Sequence, residues 1–303
     1  MTKIVLCMMV AVIFCVVYGA DEAGGKPASG AAASGWHAKS PPDVSSNPDS
    51  IAMVFVEGGT FVMGCTNEQH KGDDDDEPGK ECDDNAARFK TCDCDEKPAH
   101  KVTLSSFYVG KYEVTQGIWK AVMGGNPSDT FSGRYGVGDD YPVYYVNWND
   151  VMKFIAALNA KTGKNYRLPT EAEWEFAARG GNKSKGYMYS GSDSLGDVTW
   201  YRDGNRTYGT SAFGTKPVGT KAPNELGVYD MSGNVWEWVS DWYGYKTYAS
   251  SPVTNPTGPK KGTCRVIRGG SWATGWGRVS NRNCDPQSRS GRYFRLGFRL
   301  AHP

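Results

Sequence analysis

The sequence predicts a single loop-rich domain that mixes short strands with short helices. Three observations carry this prediction. Glycine, tryptophan and tyrosine are abundant, with 38, 10 and 17 copies in 303 residues, so aromatic side chains do much of the packing between irregular segments. Strand-like alternation recurs in short runs separated by Gly, Pro and Asn punctuation. The two clearest helical stretches are too isolated to bury a core without the strands around them.

The chain opens with an exported leader. Residues 1–20 place Lys3 before an apolar run, Ile4 to Val17, and a small-residue exit at Tyr18-Gly19-Ala20. That is the layout of a secretory signal, and the run is short for a membrane span. Lipidation at Cys15 is the alternative, although Phe14 fits a lipoprotein exit poorly. Either route puts the mature chain outside the cytoplasm, at the cell surface or in the periplasm. Residues 21–50 are Ala, Gly, Ser and Pro with little apolar content, which makes a flexible tether. The folded domain is expected over 51–303.

Order begins with the strand Ile51 to Val56 and continues through Gly59 to Met63. An acidic, Cys-containing insert spans 66–97. It lacks the spacing and turn glycine of an EF-hand loop, so a solvated loop pinned by disulfides is expected. Export and spacing disfavour zinc at Cys65, Cys82, Cys92 and Cys94. Cys264 and Cys284 are left to pair with each other or with the insert. Lys101 to Tyr112 alternates as one strand. Thr115 caps a helix that runs to Met123 and stops at Gly124-Gly125. A second helix runs from about Asn149 to Lys161, with Val151, Phe154, Ile155 and Leu158 on one face. Thr170-Glu171-Ala172-Glu173 is a capping box that opens a third helix, stopped by Gly180-Gly181.

The 34 basic and 33 acidic residues leave a net charge of +1, which excludes a nucleic-acid binder working through a basic face. The four histidines form no metal-binding or catalytic spacing, and no nucleophile elbow is present. The functional signal sits at the C-terminus. Arg268-Gly269-Gly270-Ser271-Trp272 and Leu296-Gly297-Phe298-Arg299-Leu300 frame a stretch of Ser, Asn, Gly, Arg and Asp almost free of aliphatic side chains. Such a composition is surface held between two anchored strands.

Four blocks in order then identify a relationship. They are Tyr166-Arg167-Leu168-Pro169-Thr170-Glu171-Ala172-Glu173-Trp174-Glu175, Asn224 through Trp238, Arg268 to Trp272, and Gly297-Phe298-Arg299. Together they resemble the formylglycine-generating-enzyme (sulfatase-modifying factor) domain family over about 52–301. The resemblance implies a compact α+β fold with little regular structure, related to C-type lectins. It also implies a structural calcium at Asp230, Gly233, Val235 and Glu237, where two carboxylates and a turn offer the hard oxygen ligands Ca2+ prefers. A hydrogen-bonded turn is the competing reading of those residues, and no other cofactor is expected.

Family enzymes oxidise a substrate cysteine with two active-site cysteines and copper, a few residues after the Arg-Gly-Gly-Ser motif. The matching positions here are Thr274 and Val279. A hydroxyl is far less acidic than a thiol and a poor ligand for soft metals, so no formylglycine chemistry is expected. Thr274, Gly275, Gly277, Asn281, Asn283, Asp285, Ser288, Ser290, Gly291, Arg292, Tyr293 and Phe294 form an unusual set. Every residue type in it is reachable by changing the adenines of an asparagine codon, and Trp276 and Gln287 are not. The set resembles the variable region of diversity-generating-retroelement target proteins, which share this fold and carry their variable region C-terminally. The resemblance implies a displayed binding protein with a diversified site for a protein or glycan ligand. Nucleic acid is not expected as a partner, and a membrane only through a lipid anchor. The competing class is an exported enzyme or assembly factor on the same scaffold.

Overall fold

The computed structural model describes residues 44–66, 94–131, 133–201, 213–250, 253–274, 277, 279, 282–285 and 291–303. The expected signal, most of the tether and most of the acidic insert lie outside them. The first sheet shows how alternation selects its faces. In β1 (Met53–Val56) Val56 is buried and Phe55 exposed; in β4 (Phe107–Gly110) Phe107 and Val109 are buried and Tyr108 exposed. The antiparallel register sets Phe55 opposite Tyr108, so the exposed rings meet on the outer face at 5.2 Å. The C-terminal β9 (Ala301–His302) pairs with β4 and completes the order β1-β4-β9.

The single strand expected over Lys101 to Tyr112 is two. β3 (His100–Leu104) pairs with β2 (Gly59–Met63) in a separate ribbon, and β4 joins the first sheet. The break falls at two serines. The Ser105 N–H donates to Asn255 Oδ1 at 2.9 Å, and Ser106 Oγ accepts from the Gly58 N–H at 2.9 Å. Satisfying those backbone groups outside a ladder lets the chain change sheets at a bend that side-chain alternation does not reveal.

Helix α1 (Gln116–Met123) is capped by Thr115, whose hydroxyl accepts from the Ile118 N–H, and ends on left-handed Gly124. Helix α2 (Trp148–Thr162) starts one residue earlier than expected. Asn147 and Asp150 form a reciprocal capping box. The box expected at Thr170 and Glu173 opens α3 (Glu171–Ala178).

The second sheet has the order β7-β6-β5-β8, with β5 Trp236–Trp242, β6 Arg265–Arg268, β7 Arg282–Asp285 and β8 Leu296–Phe298. β8 runs parallel to β5, and the other pairs are antiparallel. Neighbouring residues Val266 and Ile267 face opposite sides of β6, yet both are buried. Val266 packs in a cluster with α3, β2 and β3 residues; Ile267 packs with α1 and α2 residues. The sheet is therefore covered on both faces. Trp236 and Trp238 share the second cluster, as their spacing predicts. The fold is mixed α+β with short elements, as the family resemblance implies.

Candidate functional site

Three buried arginines fix the C-terminal stretch to the core. On β6, the Arg268 guanidinium pairs with Glu175 and donates to the Val279 carbonyl at 3.0 Å. On β7, Arg282 donates to both Glu171 oxygens at 2.7 and 3.0 Å, and to the Asp95 carbonyl at 3.1 Å. After β8, Arg299 grips Glu237 with two bonds of 2.7 Å and also donates to the Gly110 and Tyr229 carbonyls. The Trp174 indole N–H adds a 2.7 Å bond to Glu237. Paired, bidentate geometry of this kind makes burial of such charges tolerable. Burial alone pushes the Glu171 carboxyl up. Arg282 and Arg268 outweigh it and hold Glu171 below the usual range.

The candidate site residues divide sharply. Thr274 was expected at the exposed surface and is buried instead. Its hydroxyl accepts from the Ser271 N–H at 2.7 Å and donates to the Ser271 carbonyl at 2.9 Å, closing a turn after the Arg-Gly-Gly-Ser motif. Gly277 is buried too. Its carbonyl accepts from Ser232 Oγ, and an added Cβ would lie 3.1 Å from the Gly269 carbonyl oxygen. These two positions brace the site. Val279 is fully buried in the core cluster that contains α3.

Asn283 and Arg292 are exposed; Gly291, Tyr293 and Phe294 are half-buried. Arg292 donates twice to Asp150, at 2.7 and 2.9 Å, which ties it to the cap of α2. The backbone of Asp285 pairs with Arg265. Gly275, Asn281, Ser288 and Ser290 lie outside the described residues.

An aromatic wall stands beside this surface and was not anticipated. Phe294 stacks on Tyr135 at 4.5 Å, and Tyr135 and Phe213 pack against buried Trp272 at 5.6 and 4.7 Å. Phe131 meets Tyr145 edge-on at 4.8 Å. Phe131, Tyr135, Tyr145 and Phe213 are all half-buried. They come from segments far from the C-terminus, and no local pattern marks them as its neighbours.

A cavity of about 210 Å³ opens next to the same surface. The disulfide Cys264–Cys284, with Cα atoms 5.8 Å apart, staples the residue that precedes β6 to β7 at its side.

The two carboxylates of the expected calcium set already have protein partners. Both Glu237 oxygens serve Arg299 and Trp174. Asp230 Oδ2 accepts from the Gly219 N–H at 2.7 Å. The Gly233 N–H donates to the Gly269 carbonyl, and the Val235 N–H to Glu113. Burial pushes the Asp230 carboxyl up to about 6, against the Gly219 bond and Arg299. It pushes Glu113 well above the usual range. The Arg299 guanidinium is the cation that Glu237 faces. Among the described residues no group of three or more His, Cys, Asp or Glu side chains is placed to hold a metal ion.

The profile of the sulfatase-modifying factor enzyme 1-like domain matches residues 40–303. The chain belongs to this family. The chaperone protein LppX of Paenibacillus barcinonensis is 36% identical over 223 residues, 57% of this chain and 71% of that protein. The formylglycine-generating enzyme of Streptomyces coelicolor is 40% identical over 177 residues, but the match spans only 53% of the enzyme and 54% of this chain. Among solved structures, Treponema denticola variable protein 1 superposes with a TM-score of 0.64 at 29% identity, covering 82% of this chain and 94% of that one. PvdO from Pseudomonas aeruginosa gives 0.63 at 32% identity, covering 88% and 99%. These relatives and structural neighbours carry a chaperone name, an enzyme name and a variable-protein name, so the scaffold does not choose among functions. The site must.

Proposed function

We propose that this chain is an exported, surface-displayed ligand-binding protein with no catalytic step, whose region 271–294 is diversified by a retroelement. The observation that carries the reading is the division within that region. Arg282 is buried in an ion pair while its neighbour Asn283 is exposed. A binding surface that tolerates substitution needs such a division: charges locked into the core between positions free of it. Asn, Gly, Arg, Tyr and Phe on the exposed side supply adaptable hydrogen bonding and rigid aromatic area, the chemistry of paratopes. The likeness to a variable protein supports the same reading.

Thr274 and Val279 stand where family enzymes carry cysteines. The Thr274 hydroxyl is engaged with Ser271 and Val279 is fully buried, so neither position offers a nucleophile or a soft metal ligand. The ligand is a protein or a glycan, nucleic acid takes no part, and no cofactor is required. The export signal places the chain at the cell surface or in the periplasm, with a lipid at Cys15 as the route to a membrane.

Population sequencing tests the proposal. Substitutions should gather at Asn281, Asn283 and Arg292, fall on adenines of the coding strand, and spare Arg282. A near-copy of the segment coding for 271–294 should lie beside a reverse-transcriptase gene. Uniform variation across 282 and 283, or conversion of a cysteine peptide to formylglycine by the purified protein with copper, would refute it.

A further inference from the structure

The cavity beside the candidate surface has an arginine at its edge. Every strand of the second sheet contributes to it: Trp236 from β5, Ile267 from β6, Asn283 from β7 and Leu296 from β8. Trp236, Ile267 and Leu296 are buried and apolar, so the cavity has a greasy floor. Its polar side chains are Asn283, Tyr293 and Arg295. Asn283 Oδ1 already accepts from the Cys284 N–H at 2.7 Å, which leaves the Asn283 amide as a donor. Arg295 also lines the cavity, and its side chain is exposed. Its guanidinium has no ion pair or hydrogen bond among the described side chains, whereas nearby Arg292 is neutralised by Asp150. The cavity thus presents donors and positive charge above an apolar base.

We propose that this cavity is a carboxylate-anchoring subsite for a peptide ligand: an apolar side chain fills the floor and an adjacent carboxylate pairs with Arg295 and the Asn283 amide. This rests on the reading of 271–294 as a binding surface and specifies what it binds. A volume of about 210 Å³ is below the roughly 300 Å³ at which sites for drug-sized ligands begin, and suits one side chain. A guanidinium matches a carboxylate with two parallel bonds. Arg295, Leu296, Trp236 and Ile267 all lie outside 271–294. Diversification would therefore change the rim, the Asn283 amide and Tyr293 included, and leave Arg295 and the apolar floor in place. Ligands of differently diversified copies would share the carboxylate and differ around it.

The test uses the mature full-length chain and fluorescein-labelled peptides read by anisotropy. One arm ends in Leu or Phe with a free C-terminal carboxylate. The second carries the same residues as C-terminal amides. The third is amidated with an internal Glu beside Leu. Binding is expected in the first arm, the third, or both, which identifies the source of the carboxylate, and not in the second. Arg295→Gln should weaken it about tenfold or more, as loss of a charge-assisted pair does, with unchanged urea denaturation because the residue is exposed. Equal binding of acids and amides, indifference to Arg295→Gln, or no binding of any acid at about 1 mM would overturn the inference. If sequencing still shows Asn283 varying and Arg282 fixed, the binding-surface reading stands and only the carboxylate anchor falls.

Discussion

Arg282 and Asn283 are consecutive in a segment that reads as uniformly polar, and replacing each by Ala should separate them. Arg282→Ala removes two bonds to Glu171, one to the Asp95 carbonyl, and ring contacts with Tyr243 and Tyr248 at 4.7 Å. It also leaves Glu171, itself buried, without its main partner. Breaking a buried pair from one side costs about 3–5 kcal/mol, because the remaining charge is uncompensated. Asn283→Ala removes an exposed amide whose one bond is to the next residue's N–H, and should cost within about 0.5 kcal/mol. Urea denaturation of both variants, with Glu171→Gln and the double variant to close a cycle, measures the difference. The Arg282→Ala, Glu171→Gln double variant should be less damaged than the sum of the singles. If Arg282→Ala costs under about 1 kcal/mol, or Asn283→Ala costs as much, the division between braced and free positions is wrong.

Two further outcomes are expected. Asp241 is buried, and desolvation, aided by Glu171, pushes its carboxyl up to about 7 despite the Glu171 N–H bond. The folded value lies above the unfolded value of about 3.9, so its contribution to stability is full below that pH and is lost as pH rises toward 7. Asp241→Asn should remove up to about one proton's worth of slope, roughly 1.4 kcal/mol per pH unit, between about pH 4 and 7; an unchanged slope would refute the assignment. Removing the Cys264–Cys284 bridge as Cys284→Ser frees a loop with a sequence separation of 20, which should cost about 3 kcal/mol by loop closure, read from the urea midpoint under oxidising conditions.

Much of the scaffold was legible locally. Thr115 and Thr170 announced their helices because a hydroxyl followed at the right distance by free amides is a complete local instruction. The α2 cap at Asn147 uses the same logic one step earlier, and was missed because the apolar face was counted from Val151. The sheet change at Ser105 was not legible, since its cause is Asn255, distant in sequence.

By itself the sequence determined the family, the position of the candidate binding stretch at the C-terminus, and the presence of Thr274 and Val279 after the Arg-Gly-Gly-Ser motif. Those are properties of residue identity and order. Only the tertiary structure decided which of those polar residues face out. Thr274 and Gly277 belong to the same polar, glycine-rich stretch as exposed Asn283 and Arg292, yet a turn and the Gly269 carbonyl enclose them. Arg282, Arg268 and Arg299 are buried because Glu171, Glu175 and Glu237 arrive from elsewhere in the chain to meet them. The aromatic wall and the cavity beside Arg295 exist for the same reason. Burial and pairing are set by partners distant in sequence, and a linear pattern carries no record of which ones will meet.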